Sequence, residues 1–169
     1  MTGCGVLRRA AGPFYCPDDQ KIYIDLDFFR ELKDRDHAPG DFARAYVLAH
    51  EVGHHVQQML GTLDSVRRER AKLSPEEAEK LHIRLELQAD FLAGYWAHHA
   101  DRLRHILEPG DLESARAAVA TLGEGRPGPG TCEGCWSGKH GTAQQRLRWF
   151  MRGFDTGDLK QGDTFQGEL

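Results

Sequence analysis

DFARAYVLAHEVGHHVQQMLG, residues 41–61, is the stretch on which the reading of this chain turns. Phe42, Ala45, Tyr46, Ala49, Val52, Val56 and Met59 recur at helical spacing, so an amphipathic helix is expected from a cap at Asp41 to about Leu60. The break His37-Ala38-Pro39-Gly40 precedes it, and Gly61 stands where a glycine ends a helix. Within the helix, His50-Glu51-Val52-Gly53-His54 sets two histidines four residues apart, on one face, so both imidazoles can aim at one point. Zinc accepts His nitrogen and keeps an open position when three protein ligands hold it. Glu51 can reach a water at such a metal without becoming a ligand, which makes it the candidate general base. The competing reading is a surface helix with paired histidines. Gly53 costs about 1 kcal/mol relative to Ala inside a helix, and close approach of a neighbouring backbone or of the metal would justify it. His55 points about 100° away from His54 and reads as a surface or hydrogen-bonded histidine. His37, His82, His98, His99 and His105 read the same way.

A third ligand is expected from RLELQAD, residues 84–90. Glu86 and Asp90 are four apart on one helix face, among Leu81, Ile83, Leu85, Leu87, Ala89, Phe91 and Leu92. Carboxylates in so apolar a setting need a partner. If Glu86 binds the metal, Asp90 can accept the free N–H of a liganding histidine, His50 first of all, and so fix its tautomer. The plain alternative is a solvated acidic stripe beside Arg84 or Lys80.

The rest of the chain suits one domain, residues 1–169, with 1–10 and 158–169 flexible. It has 169 residues, 40% hydrophobic and 28% charged, with a formal charge of −4. That is no footprint for nucleic acid, and no apolar run approaches the roughly 18 residues of a membrane span. Lys21–Leu26 alternates like a half-buried strand, with Ile22, Ile24 and Leu26 inward and Tyr15–Cys16 as the start of its partner. Helices are expected over 27–35, from the Ser74 capping box to about Asp101, from Asp111 to about Gly123, and over 142–154. The segment from Gly123 to Gly141 is a glycine-rich loop, a lid or a passive connector. The fold class is therefore α+β, mostly helical, with a small antiparallel or mixed sheet. Cys132-Glu133-Gly134-Cys135 has the spacing of half a zinc knuckle or a redox pair. A four-cysteine zinc site would have to recruit Cys4 and Cys16, so a local disulfide or two thiols is simpler.

AGPFYCPDDQKIYIDLDFF (11–29), FARAYVLAHEVGHHVQQMLG (42–61), RLELQADFLAGYWAH (84–98), LEPGDLESA (107–115) and HGTAQQRLRWFMRGFDTGD (140–158) together resemble the bacterial family of putative neutral zinc metallopeptidases. The resemblance runs in order from about Ala11 to Phe165. Its ligand scheme is similar to that of the thermolysin-like gluzincins, and it implies a zincin-like domain with an HExxH active-site helix. It also implies one Zn2+ on His50, His54 and Glu86, a catalytic Glu51, Asp90 behind a ligand, and a peptide or protein substrate. The strand Lys21–Leu26 becomes a candidate substrate-binding edge. His140 and Arg146, in the last matching segment, are candidate donors to the oxyanion of peptide hydrolysis. A loop histidine capping the last helix and a structural ion pair are the alternatives. Relatives tend to carry cysteines where Phe91 and Gly162 stand here, and their joint absence fits a lost pair. Cys4 and Cys16 remain to pair with each other, which needs an oxidising compartment. Family members usually have an N-terminal membrane anchor ahead of the domain. This chain starts at Met1 just before the match, so either this version is soluble or its start lies upstream, and localisation stays open. A non-catalytic zinc-binding scaffold and a zinc hydrolase of a non-peptide amide are the rival functions.

Overall fold

The computed structural model describes residues 2–5, 13–35, 41–123, 140–167 and 169. In chain order the elements are β1 (Phe14–Cys16), β2 (Lys21–Tyr23), α1 (Leu26–Arg35), α2 (Asp41–Met59), α3 (Thr62–Arg70), α4 (Pro75–Arg104), α5 (Asp111–Gly123) and α6 (Ala143–Thr156), followed by a 3-10 turn, Leu159–Gln161. They form one mostly helical domain with a two-stranded antiparallel sheet. The glycine-rich loop, with Cys132 and Cys135, lies outside the described residues except at its ends, as does His37.

The sheet pairs Phe14 with Tyr23, Tyr15 with Ile22 and Cys16 with Lys21, so the partner expected at Tyr15–Cys16 is present. The strand expected over Lys21–Leu26 is shorter. Asp25 accepts the Asp27 N–H on its side chain and the Phe28 N–H on its carbonyl, which turns the chain into α1. Ile24 and Leu26, inward by alternation, are accordingly exposed. Gly61 ends α2 in the left-handed region, with φ 74°. The chain re-enters a helix at once, and α3, too polar to be anticipated, is anchored by buried Leu63 and Val66 three residues apart. Ser74 and Glu77 close the capping box that opens α4. Thr142 and Gln145 make the same box on α6, so Thr142, not His140, caps the last helix.

The main core joins Phe42, Tyr46 and Val47 of α2, Ala93 and Ala97 of α4, Ala115, Ala118 and Val119 of α5, and Phe150 of α6. Small residues let α4 and α6 meet backbone to backbone. A Cβ on Gly94 would overlap the Phe150 carbonyl oxygen, and one on Gly153 the Phe91 carbonyl oxygen. The segment after Gly157, expected to fray, instead lies along α4. Arg84 donates to the Thr164 and Gly167 carbonyls at 2.7 and 2.6 Å, and the buried Thr164 hydroxyl donates to the Arg84 carbonyl at 2.6 Å. The Phe91 ring fills the place a Cβ on Gly162 would take, so the two positions the resemblance pairs are in contact. Cys4 and Cys16 form a disulfide, with both residues buried. By narrowing the unfolded ensemble, a loop of this size contributes about 3 kcal/mol.

Gly153→Ala is expected to destabilise the domain by at least ~3 kcal/mol, the upper range for overpacking. That corresponds to a thermal midpoint lowered by roughly 6–12 °C in a chain of this size. An unchanged midpoint would mean that the α4–α6 contact is looser than described.

Candidate metal centre

His50 and His54 project from α2 toward α4, which presents Glu86 and Asp90. The two helices come close because Gly53 has no side chain. A Cβ there would sit 3.1 Å from Cα and from the carbonyl oxygen of Ala89. Backbone approach is thus the reason for a glycine inside α2.

Among the described residues, His50, His54 and Glu86 are the one group of three that could hold a metal ion, with donor atoms all within 4.8 Å of one another. Four ligands at zinc's usual bond lengths stand roughly 3.3 Å apart in a tetrahedron. Glu86 Oε2 lies 3.2 Å from His50 Nε2 and 3.4 Å from His54 Nε2. Both Nδ1 atoms are already committed. His50 Nδ1 donates to Asp90 Oδ1 at 2.8 Å, and His54 Nδ1 to Gln57 Oε1 at 2.8 Å. With Nδ1 committed, each ring has only Nε2 left to face the carboxylate oxygen in this buried space. Facing lone pairs there repel unless a cation, either a proton on Nε2 or a metal ion, sits among them, so the donor set fits a metal. The same demand appears in the proton equilibria. Burial opposes a charge on His50, yet the Asp90 charge and the hydrogen bonds to Asp90 and Glu86 push its pKa up to about 10. Burial also opposes a proton on His54, and the Glu86 charge and hydrogen bond outweigh it. Glu86 is raised by burial but held well below the usual carboxylate range by the neighbouring histidines.

Behind His50, Asp90 is fully buried and accepts four hydrogen bonds. Beside the His50 bond, Tyr46 Oη donates at 2.6 Å, and Arg146 donates from Nε to Oδ2 and from Nη2 to Oδ1, both at 2.8 Å. Arg146 also donates to Tyr46 Oη at 3.0 Å. Burial raises the Asp90 carboxyl, and the charges of Arg146 and His50 bring it below its ordinary value. Arg146 is only 2% exposed, so its guanidinium is spent on this pair.

Glu51 stands beside the donor group without joining it. Burial raises its pKa, which makes it a stronger base, while the charges of His54 and His50 and a backbone contact from Tyr15 pull the other way. β1 is therefore the strand against Glu51, and its Tyr15 hydroxyl is 3.1 Å from His55 Nδ1, so His55 is hydrogen-bonded as expected. His140 is brought to the site, with Nε2 3.5 Å from Glu86 Oε2. The Glu86 charge raises its pKa, but burial and the nearby Arg146, His50 and His82 lower it to about 4. His98 and His99 contact the Phe154 and Gly157 carbonyls, and His105 closes α4. His82 departs from the surface reading. It is fully buried, with Nε2 3.6 Å from Glu86 Oε1. Tyr46 and Gln57 were not anticipated, although Tyr46 is four residues before His50 and Gln57 three after His54 on the same helix.

Removing one partner of a buried ion pair strands the other, so Arg146→Met is expected to destabilise by about 3–5 kcal/mol. Adding Asp90→Asn to Arg146→Met should cost clearly less than the sum of the two single changes in a double-mutant cycle of denaturant unfolding. Additive losses would show that the pair is not coupled as described.

The family model described as "Putative neutral zinc metallopeptidase" matches residues 1–165. Uncharacterized protein YpfJ of Escherichia coli K12 is 46% identical over 172 residues, covering 97% of this chain and 58% of that protein. Uncharacterized protein Rv2575 of Mycobacterium tuberculosis H37Rv is 41% identical over 182 residues, with the same coverage of 97% and 58%. The chain thus spans 58% of the length of these curated relatives. No solved structure matches. Among the described residues no helix is long and apolar enough to cross a membrane.

Proposed function

The chain belongs to the putative neutral zinc metallopeptidase family, and we propose that it is a zinc-dependent peptidase with a zincin-like, gluzincin-type centre on the His50–His54 helix. The observation that carries this reading is the convergence of His50 Nε2, His54 Nε2 and Glu86 Oε2 on one buried point, with Glu51 beside it. One Zn2+ bound by these three residues would polarise a substrate carbonyl and lower the pKa of a water toward about 7.

Glu51 is the general base that takes the proton of the attacking water and returns it to the leaving amine. Its burial raises its pKa, the direction a base needs. His140 is the donor to the developing oxyanion, since it reaches the donor group from outside the three ligands. Arg146, bonded to Asp90 and Tyr46, acts instead as a positioning residue that holds Asp90 on His50. β1 contacts Glu51 through the Tyr15 backbone, and an extended peptide would add as a strand beside it rather than along Lys21–Leu26. A peptide or protein substrate follows from the family's chemistry.

Elemental analysis of wild type, Glu86→Gln and Glu51→Gln, with casein hydrolysis in parallel, tests this. Wild type is expected to hold about one zinc per chain. Glu86→Gln should hold much less. Glu51→Gln should keep its zinc and lose hydrolysis by about 10²–10⁴-fold. A zinc-loaded wild type that cleaves no peptide would favour a scaffold or a non-peptide amide substrate. A wild type that takes up no zinc would end the reading.

A further inference from the structure

Gln57 is fully buried, and an apolar residue could fill the same volume without desolvating an amide. Its three hydrogen bonds show what the amide does. Nε2 donates to the Leu85 carbonyl at 2.7 Å and to Gln88 Oε1 at 3.1 Å, and Oε1 faces His54 Nδ1 at 2.8 Å. The Leu85 carbonyl can only accept, so the amide nitrogen must face it and the amide oxygen must face His54. Gln88 is directed in the same way, because its Nε2 donates to the Gly162 carbonyl at 3.2 Å. The network therefore has one sense, from His54 through Gln57 and Gln88 to a carbonyl of the segment that follows α6. His54 must carry a proton on Nδ1, so in the neutral ring the lone pair is on Nε2, the nitrogen that stands 3.4 Å from Glu86 Oε2.

We propose that Gln57 is a positioning residue of the metal centre, a neutral amide locked by Leu85 and Gln88 that holds the His54 ring and its tautomer for metal binding. The proposal rests on His54 being a ligand. The two histidines are thus oriented by unlike groups. Behind His50 stands an anion neutralised by Arg146, and behind His54 an uncharged amide whose direction is set by two backbone carbonyls. Gln57 adds no charge to a buried site that already holds Glu51, Glu86 and Asp90.

Zinc dissociation constants, measured by chelator competition on wild type, Gln57→Leu and Gln57→Glu, test the proposal together with NMR of the His54 ring protons. Gln57→Leu is expected to weaken zinc binding about 10–100-fold, the usual cost of losing an orienting partner. Gln57→Glu keeps an acceptor for His54 and sets its other oxygen against the Leu85 carbonyl. It should recover most of the affinity at a lower thermal midpoint. In wild type the His54 Nδ1–H should be protected from solvent exchange, and in Gln57→Leu it should exchange fast. Unaltered affinity in Gln57→Leu, or a loss in Gln57→Glu as large as in Gln57→Leu, overturns the proposal. If Gln57→Leu does not fold, the wild-type proton decides alone, and fast exchange there overturns it. A wild type that binds no zinc ends the peptidase reading, while protection of the His54 proton still reports on the Gln57 bond.

Discussion

The buried carboxylate of Asp90 ties the site to the fold. It lies on α4, takes hydrogen bonds from Tyr46 and His50 of α2, and is gripped by Arg146 of α6, so three helices meet at one residue. A charge this deep is tolerable only because every oxygen is satisfied and a cation lies against it. Such pairs seldom raise net stability over a well-packed apolar cluster. Their value here is geometric. The position of the His50 ring follows from Asp90, the position of Asp90 follows from Arg146, and Arg146 is placed by the packing of α6 on α4.

That packing depends on small residues. Gly94 and Gly153 remove the side chains that would separate α4 from α6, and Gly53 does the same where α2 crosses Ala89. The result is a scaffold in which Glu86 Oε2 stands 3.2 Å from His50 Nε2 and 3.4 Å from His54 Nε2 across two helices. Ligands on such rigid elements are held with less freedom than ligands on loops. His140, which is not one of these three, comes from the chain just before the Thr142 cap of α6.

His50 and His54 are supported by separate networks, one ionic and leading to α6, the other neutral and leading through Gln57 and Gln88 to the segment after α6. Both end on the C-terminal part of the chain. The docked segment, held by Arg84 at Thr164 and Gly167, therefore belongs to the support of the site as well as to the core.

The sequence by itself determined the elements whose signals are local. Helical period and caps placed α2, α4, α5 and α6, and the spacing of four residues put His50 with His54 and Glu86 with Asp90. Tertiary structure decided what depends on partners far along the chain. The strand of Lys21–Leu26 ended at Tyr23 because Asp25 turns the backbone, which alternation does not register. α3 was hidden because only Leu63 and Val66 mark its buried face. Residues after Gly157 read as polar and loose, yet Arg84, some 80 positions earlier, supplies the donors that fix them. Sequence left Arg146 open between oxyanion donor and ion pair, and its contact with Asp90 is visible only in the structure. Gln57 and His82 carried no local mark, because a buried amide or imidazole is explained only by the groups that surround it. Spacing along one helix is a property of the sequence, whereas the satisfaction of a buried polar atom is a property of the whole packed chain.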